Sequence, residues 1–184
     1  ALAPELPLTR RDRALHDTAL KLTRQQERDL RQFLAQPHKA NHATNSHTLA
    51  VGFFVNGDDA SMSSLKQNLD SLDMVIAEWL HLATEDGSLR ENDPARQTQV
   101  TDYIRTRYPD LPIMPLVNNW NGQMWEGAKL ARMLASPAAR ARVIDQLAAY
   151  VERHHFAGIS IDFEEIAPKA QPDFQRFMVE LYAV

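Results

Sequence analysis

The sequence contains no cysteine, which excludes disulfides and thiolate metal sites but leaves the compartment open. A long apolar run is also missing. The longest, Leu49-Ala50-Val51-Gly52-Phe53-Phe54-Val55, is far too short to span a bilayer, and no signal-peptide hydrophobic region opens the chain. Basic charge is not in excess: 20 Lys and Arg against 24 Asp and Glu give a formal charge of −4. Residues 48–184 carry no basic stripe with interleaved aromatics, so no nucleic-acid partner is expected. There are only six glycines, and none forms a Gly-x-Gly-x-x-Gly or other phosphate-cradling loop. That weighs against a nucleotide site, and no cofactor is expected.

What is present reads as one globular domain: 184 residues, 44% of them hydrophobic, suffice for a real core. Ala1 in place of an initiator Met is compatible with a segment cut from a longer protein, with room for a targeting or membrane segment ahead of it. Residues 1–47 differ from the rest. They are polar, rich in Arg, Gln and His, and end in His38-Lys39-Ala40-Asn41-His42-Ala43-Thr44-Asn45-Ser46-His47, which has no apolar period. A linker is expected there, with one outer helix over about 23–36, where Thr23-Arg24-Gln25-Gln26 matches a capping box and Pro37 stops the helix. His38, His42 and His47 have no ligand partners in it, so no metal site is expected.

From residue 48 short apolar runs alternate with longer helical stretches, the signature of a βα succession with a parallel sheet. Four units are expected. The first is a strand over 49–55 and a helix over 61–71; the second is a strand over 73–82, a turn at Glu85-Asp86-Gly87-Ser88 and a helix over 94–108. The third strand covers 112–117 and is followed by helices over 127–135 and 137–153. The fourth is the strand in Gly158-Ile159-Ser160-Ile161-Asp162-Phe163-Glu164-Glu165, with a helix over 172–183.

Four such units fit a doubly wound sheet or half of a (β/α)8 barrel. Polar residues close the runs at their C-terminal ends: Asn56 and Asp58, then Glu78, then Asn118 and Asn119, then Asp162 and Glu164. Barrel active sites are assembled at that end from several strands, which favours the barrel. Alternation puts Ser160, Asp162 and Glu164 on one face and Ile159, Ile161 and Phe163 on the other. The Cβ atoms of Asp162 and Glu164 would lie roughly 6–7 Å apart, close enough for the two charges to influence one another. Such a carboxylate pair suits general acid chemistry.

Residues 48–184 resemble the N-terminal half of a family 18 glycoside hydrolase barrel, the chitinase-like group. The match is Ala157-Gly158-Ile159-Ser160-Ile161-Asp162-Phe163-Glu164 against the family pattern Asp-Gly-x-Asp-x-Asp-x-Glu. The resemblance implies a glycosidase acting on β-linked N-acetylhexosamine polymers through the substrate's own acetamido oxygen, with Glu164 as acid and Asp162 as its partner. Ala157 and Ser160 depart from the pattern, as does Leu116-Val117-Asn118-Asn119 where many chitinases have Ser-x-Gly-Gly. Val51 to Asp59, Glu78-Trp79-Leu80-His81-Leu82 and Ile161 to Glu165 are also similar to the chitinase-like module of bacterial proteins that fuse it to a polysaccharide deacetylase and a family 2 glycosyltransferase. That similarity implies an extracytoplasmic setting and covalently linked downstream domains.

Each candidate also has a plainer reading. Asp162 and Glu164 are alternatively loop-capping acids in a barrel without catalysis, a carbohydrate-binding or scaffolding module. Asn56, Asp58 and Asp59 form a turn before they form a glycan contact. Asn118 and Asn119 are amide donors at a strand end, and Ser160 shares the acids' face. Trp120 stands near a strand end where it can stack on a sugar; Trp79 and Trp125 are more ordinary core candidates. His154 and His155 precede the fourth strand and read as structure. A complete barrel needs about 250 residues, so strands five to eight are expected outside this chain. The chain alone is expected to be inactive, and to be either a piece of a larger protein or paired with a second half-barrel.

Overall fold

In the computed structural model of the chain, residues 48–184 are described; the expected linker and its helix over 23–36 lie outside them. Five strands and five helices follow in order. β1 is Val51–Val55, α1 Asp59–Asn68, β2 Met74–Leu82, β3 Leu89–Glu91, α2 Pro94–Arg107, β4 Ile113–Asn118, α3 Gly127–Ala135, α4 Pro137–His154, β5 Ser160–Asp162 and α5 Gln171–Tyr182. Helix starts follow local chemistry. Asp58, Asp93 and Ser136 cap α1, α2 and α4 by accepting from Ala60, Arg96 and Ala139 N–H groups, and Pro94 and Pro137 take first-turn positions that need no donor.

The parallel strands lie in the order β1-β2-β4-β5, the order of the chain, with no reversal where a doubly wound sheet would switch direction. The helix-side core supports the same conclusion. Phe54, Val75, Ala77, Trp79 and Ile113 pack with Leu65 and Leu69 of the α1 region and Val100 and Ile104 of α2. Leu80, Leu82, Val117 and Phe163 pack with residues of α3, α4 and α5, including Leu130, Leu147 and Phe177. All five α-helices of the described residues therefore cover one face. This is the arrangement of consecutive βα units of a (β/α)8 barrel, and the described residues form four of them.

The opposite face is set by the register. Phe53 pairs with Ile76 and Ile76 with Met114; Val55 pairs with Glu78, Glu78 with Leu116 and Leu116 with Ser160. Paired residues of parallel strands point the same way, so these side chains form the concave face. Phe53 and Val55 are 68% and 43% exposed there.

The strand β3 is the element that the sequence pattern does not announce. Leu89-Arg90-Glu91 pairs antiparallel with Leu80 to Leu82, beside β1 on the same edge of β2, because β4 occupies the other edge as far as His81. Its turn is organised by Asp86, whose carboxylate accepts from the Thr84 hydroxyl and from the Ser88 N–H and hydroxyl. Gly87 completes it at φ 87°, where a Cβ would collide with the Ala139 carbonyl. Between α4 and α5, Arg140 makes two hydrogen bonds to Glu180 at 2.8 and 2.9 Å and a third to the Leu134 carbonyl at 2.6 Å. The helices behind the sheet are thus tied together as well as packed.

Candidate active site

The C-terminal ends of the parallel strands carry the polar groups, and a bulge decides which of them meet. The β2–β4 register shifts between Glu78 and Leu80, so Trp79 and Leu80 both turn to the helix side and His81 returns to the concave face. Simple alternation would put His81 with the helices. A bulge that re-aims a side chain in this way is common beside functional sites. His81, Asn118 and Asp162 then stand in consecutive register across β2, β4 and β5, and Arg90 of β3 pairs with His81 on the outer side.

Asn118 is the centre of this row. It is 2% exposed; its Nδ2 donates to Glu78 Oε1 at 2.9 Å, and its Oδ1 accepts from Trp120 N–H at 3.1 Å. The same Oδ1 lies 2.6 Å from His81 Nδ1. Asn119, fully buried at 0% exposure, is directed elsewhere. Its Oδ1 accepts from the Glu164 N–H at 2.9 Å and its Nδ2 donates to the Glu164 carbonyl at 3.1 Å.

Around Glu164 the chain turns sharply. β5 ends at Asp162, and Phe163 enters the helix-side core with its ring 5.8 Å from Phe177 and 6.4 Å from Phe174. Glu165 then adopts φ 54°. Gly127, opening α3, lies so close that a Cβ there would sit 2.5 Å from the Glu165 carbonyl oxygen. Asp162 is half-buried and Glu164 exposed.

The other expected contacts fall in different places. Asn56 is buried, with Nδ2 donating to the Asn92 carbonyl at 2.5 Å and Oδ1 without a partner. Gln97 donates to the same carbonyl and accepts from Tyr150 at 2.5 Å; the phenol is pushed well above its usual range by burial and then by the Glu91 charge. Asp58 is the α1 cap. Ser160 is half-buried on the concave face. Trp120 is half-buried and meets Trp125 edge to face, ring centres 5.2 Å apart, across a short antiparallel bridge after β4. Trp79 is wholly buried against Phe156. Among the described residues no group of three or more His, Cys, Asp and Glu could hold a metal ion.

Residues 49–184 match the sequence profile of glycosyl hydrolases family 18. The chain belongs to that family. Over 132 residues it is 23% identical to the uncharacterized glycosylase YvbX of Bacillus subtilis (strain 168), covering 71% of this chain and 36% of that one. Its fold superimposes on a class V chitinase of Pseudomonas fluorescens Pf-5 with a TM-score of 0.67, at 24% identity, covering 73% of this chain and 40% of the other. A mutant of the family 18 chitinase of Cycas revoluta, solved in complex with (GlcNAc)4, gives a TM-score of 0.61 at 20% identity, covering 74% of this chain and 40% of that one. The chain thus spans well under half the length of these relatives, and the structural likeness is one of fold.

As a family 18 domain, the chain carries two arrangements that its sequence did not reveal: His81 beside Asn118, and the Asn119 clasp on Glu164. The signal for the first was thin. Glu78 and His81 are three apart, and only the bulge brings both to the concave face. For the second, the departure of Asn118-Asn119 from the family's glycine pair was visible, but its consequence was not.

Proposed function

We propose that the protein containing this chain is a glycosidase that cleaves β-linked N-acetylhexosamine polymers. Glu164 donates the proton to the leaving-group oxygen as the substrate's 2-acetamido oxygen attacks the anomeric carbon, and Asp162 orients the acetamide and offsets the positive charge of the cyclic intermediate. Water then opens that intermediate, with Glu164 as the base that takes its proton.

The observation that carries this reading is the hold on Glu164. A carboxylate that merely decorates a loop needs no fixed backbone, whereas Asn119 grips this one through both its N–H and its carbonyl. Precise placement of an acid is what catalysis requires of a scaffold. The complex of the Cycas revoluta chitinase with (GlcNAc)4 supports the choice of polymer class. Asn56, Asp58, Trp120 and Ser160 are proposed glycan contacts. The activity belongs to the longer polypeptide, which we place outside the cytosol as part of a polysaccharide-processing fusion.

The test is turnover of N-acetylglucosamine oligomers against the same oligomers after deacetylation, using the full-length protein and its Glu164→Gln variant. Cleavage confined to acetylated substrate and lost in the variant is expected. Equal turnover by the variant contradicts the reading.

A second reading rests on Ala157 and Ser160, which replace two acids of the family pattern: a carbohydrate-binding barrel that grips polymer for neighbouring domains. It requires oligomer binding that survives Glu164→Gln, with no hydrolysis by either protein.

A further inference from the structure

The hydrogen bonds around Asn118 fix more than that side chain. Trp120 contributes a backbone N–H, which can only donate, so the Asn118 atom it meets at 3.1 Å is the oxygen. The amide nitrogen must then be the atom that meets Glu78 Oε1, and a carboxylate accepts it. His81 Nδ1, 2.6 Å from the same Asn118 oxygen, faces an acceptor and must carry a proton. In the neutral imidazole the other nitrogen, Nε2, is therefore a bare acceptor.

That acceptor has no hydrogen-bond partner among the described residues. His81 is only 4% exposed, yet the buried side-chain atoms lacking a partner are Asn56 Oδ1, Trp79 Nε1 and Arg96 Nε. His81 Nε2 is not one of them, so it keeps some accessible surface. The bulge turns the ring to the concave side, two strands from Asp162 in the same row. Most buried side-chain polar atoms have at least one hydrogen-bond partner. His81 has a fixed tautomer and a single acceptor left over.

We propose that His81 is a substrate-contacting residue whose Nε2 accepts a hydrogen bond from a hydroxyl of the bound amino-sugar polymer. The proposal rests on the glycosidase reading for its ligand, but not for its geometry. Beyond His81 the row ends at Arg90, whose exposed side chain makes no ion pair among the described residues. In the register of the sheet the ring therefore stands between Arg90 on one side and Asn118 and Asp162 on the other.

Two substitutions separate contact from scaffolding. In His81→Asn the amide nitrogen replaces Nδ1 and keeps the bond to Asn118, but nothing replaces Nε2. In His81→Gln the longer amide reaches the Nε2 position and the Nδ1 donor is lost. Binding of N-acetylglucosamine oligomers is measured by calorimetry in full-length Glu164→Gln protein, with and without each substitution. His81→Asn should weaken binding about tenfold, and His81→Gln clearly less, as expected for one lost hydrogen bond. The reverse order, or no loss in His81→Asn, overturns the contact and leaves only a scaffolding role. Nitrogen NMR of His81 checks the geometry independently of any ligand: a protonated Nδ1 and bare Nε2 are expected, and the opposite tautomer overturns the proposal. If the parent protein binds no oligomer while His81 shows the expected tautomer, the glycosidase reading has failed and the contact with it.

Discussion

Asn119 holds Glu164 by both ends of its backbone, accepting from the N–H at 2.9 Å and donating to the carbonyl at 3.1 Å. β5 has already ended at Asp162, so no ladder bond fixes the residue proposed as the acid. The Asn119 amide supplies what another rung of the sheet would have supplied. Its own burial makes the clasp rigid, because a wholly buried amide has no water to exchange with.

Asn119→Ala removes both bonds and leaves a small void. The loss of two hydrogen bonds corresponds to about 1–3 kcal/mol of stability. Turnover should fall further than substrate affinity, because the acid is displaced rather than the sugar. Asn119→Asp keeps the acceptor for the Glu164 N–H but sets a carboxylate against its carbonyl, and should not restore activity. Denaturant titration together with separate kcat and KM values checks both statements.

Gly127→Ala should disturb the same loop from the other side. The added Cβ would lie 2.5 Å from the Glu165 carbonyl oxygen and 3.0 Å from its Cβ, and a backbone oxygen cannot swing aside as a flexible side chain can. Overpacking of this kind costs about 1–3 kcal/mol. The expected outcome is a lower melting temperature with a loss of turnover. An unchanged melting temperature would show that the loop yields freely.

The Arg140–Glu180 pair should matter for stability alone. Arg140 is nearly fully buried, while the Glu180 side chain is 37% exposed. Removing a partner of a buried pair costs about 3–5 kcal/mol, and the water already reaching Glu180 brings the expectation for Glu180→Ala to about 2 kcal/mol. Denaturation midpoints of wild type and variant check it.

Asp86 predicts a pH dependence. Hydrogen bonds from the Thr84 and Ser88 hydroxyls and the Ser88 N–H, and then the charge of Arg142, lower its pKa to about 2, against about 3.9 in an unfolded chain. A lowered folded value means stability that is present above the unfolded pKa and lost as pH falls through the folded one. The pH-dependent part of the stability difference between wild type and Asp86→Asn should therefore be constant above about pH 5, fall progressively below it and be lost by about pH 1. Chemical denaturation at a series of pH values checks the window.

The four βα units were legible in the sequence because each combines a short apolar run with a longer amphipathic stretch. Helix starts were legible where a cap or proline marks them, as at Pro94 and Ser136-Pro137. In the first unit the helix begins at Asp59 rather than near Ser61, because Asp58 caps it, and Leu69–Ser71 tightens into a 3-10 turn. β3 was not legible: Leu89-Arg90-Glu91 has neither alternation nor β-branched residues, and it exists because the Asp86 turn folds it back onto β2. His81 escaped for a related reason. Strand alternation assigns it to the helix side, and the bulge between Glu78 and Leu80 that reverses the assignment is a feature of the β2–β4 pairing, which the sequence of β2 alone does not show. Asp162 and Glu164 could be named as candidate acids from their motif; the amides that organise the neighbourhood could be named but not assigned partners.

The central claim is that Glu164 protonates a glycosidic leaving group. It is tested most directly by comparing Glu164→Gln with wild type, in the full-length protein, on an N-acetylglucosamine oligomer and on an aryl glycoside whose phenolate leaves without a proton. General acid catalysis contributes about 10²–10⁴-fold, so the variant should lose about that much on the oligomer and far less on the aryl glycoside. Equal losses on the two substrates, or none on the oligomer, would contradict the account.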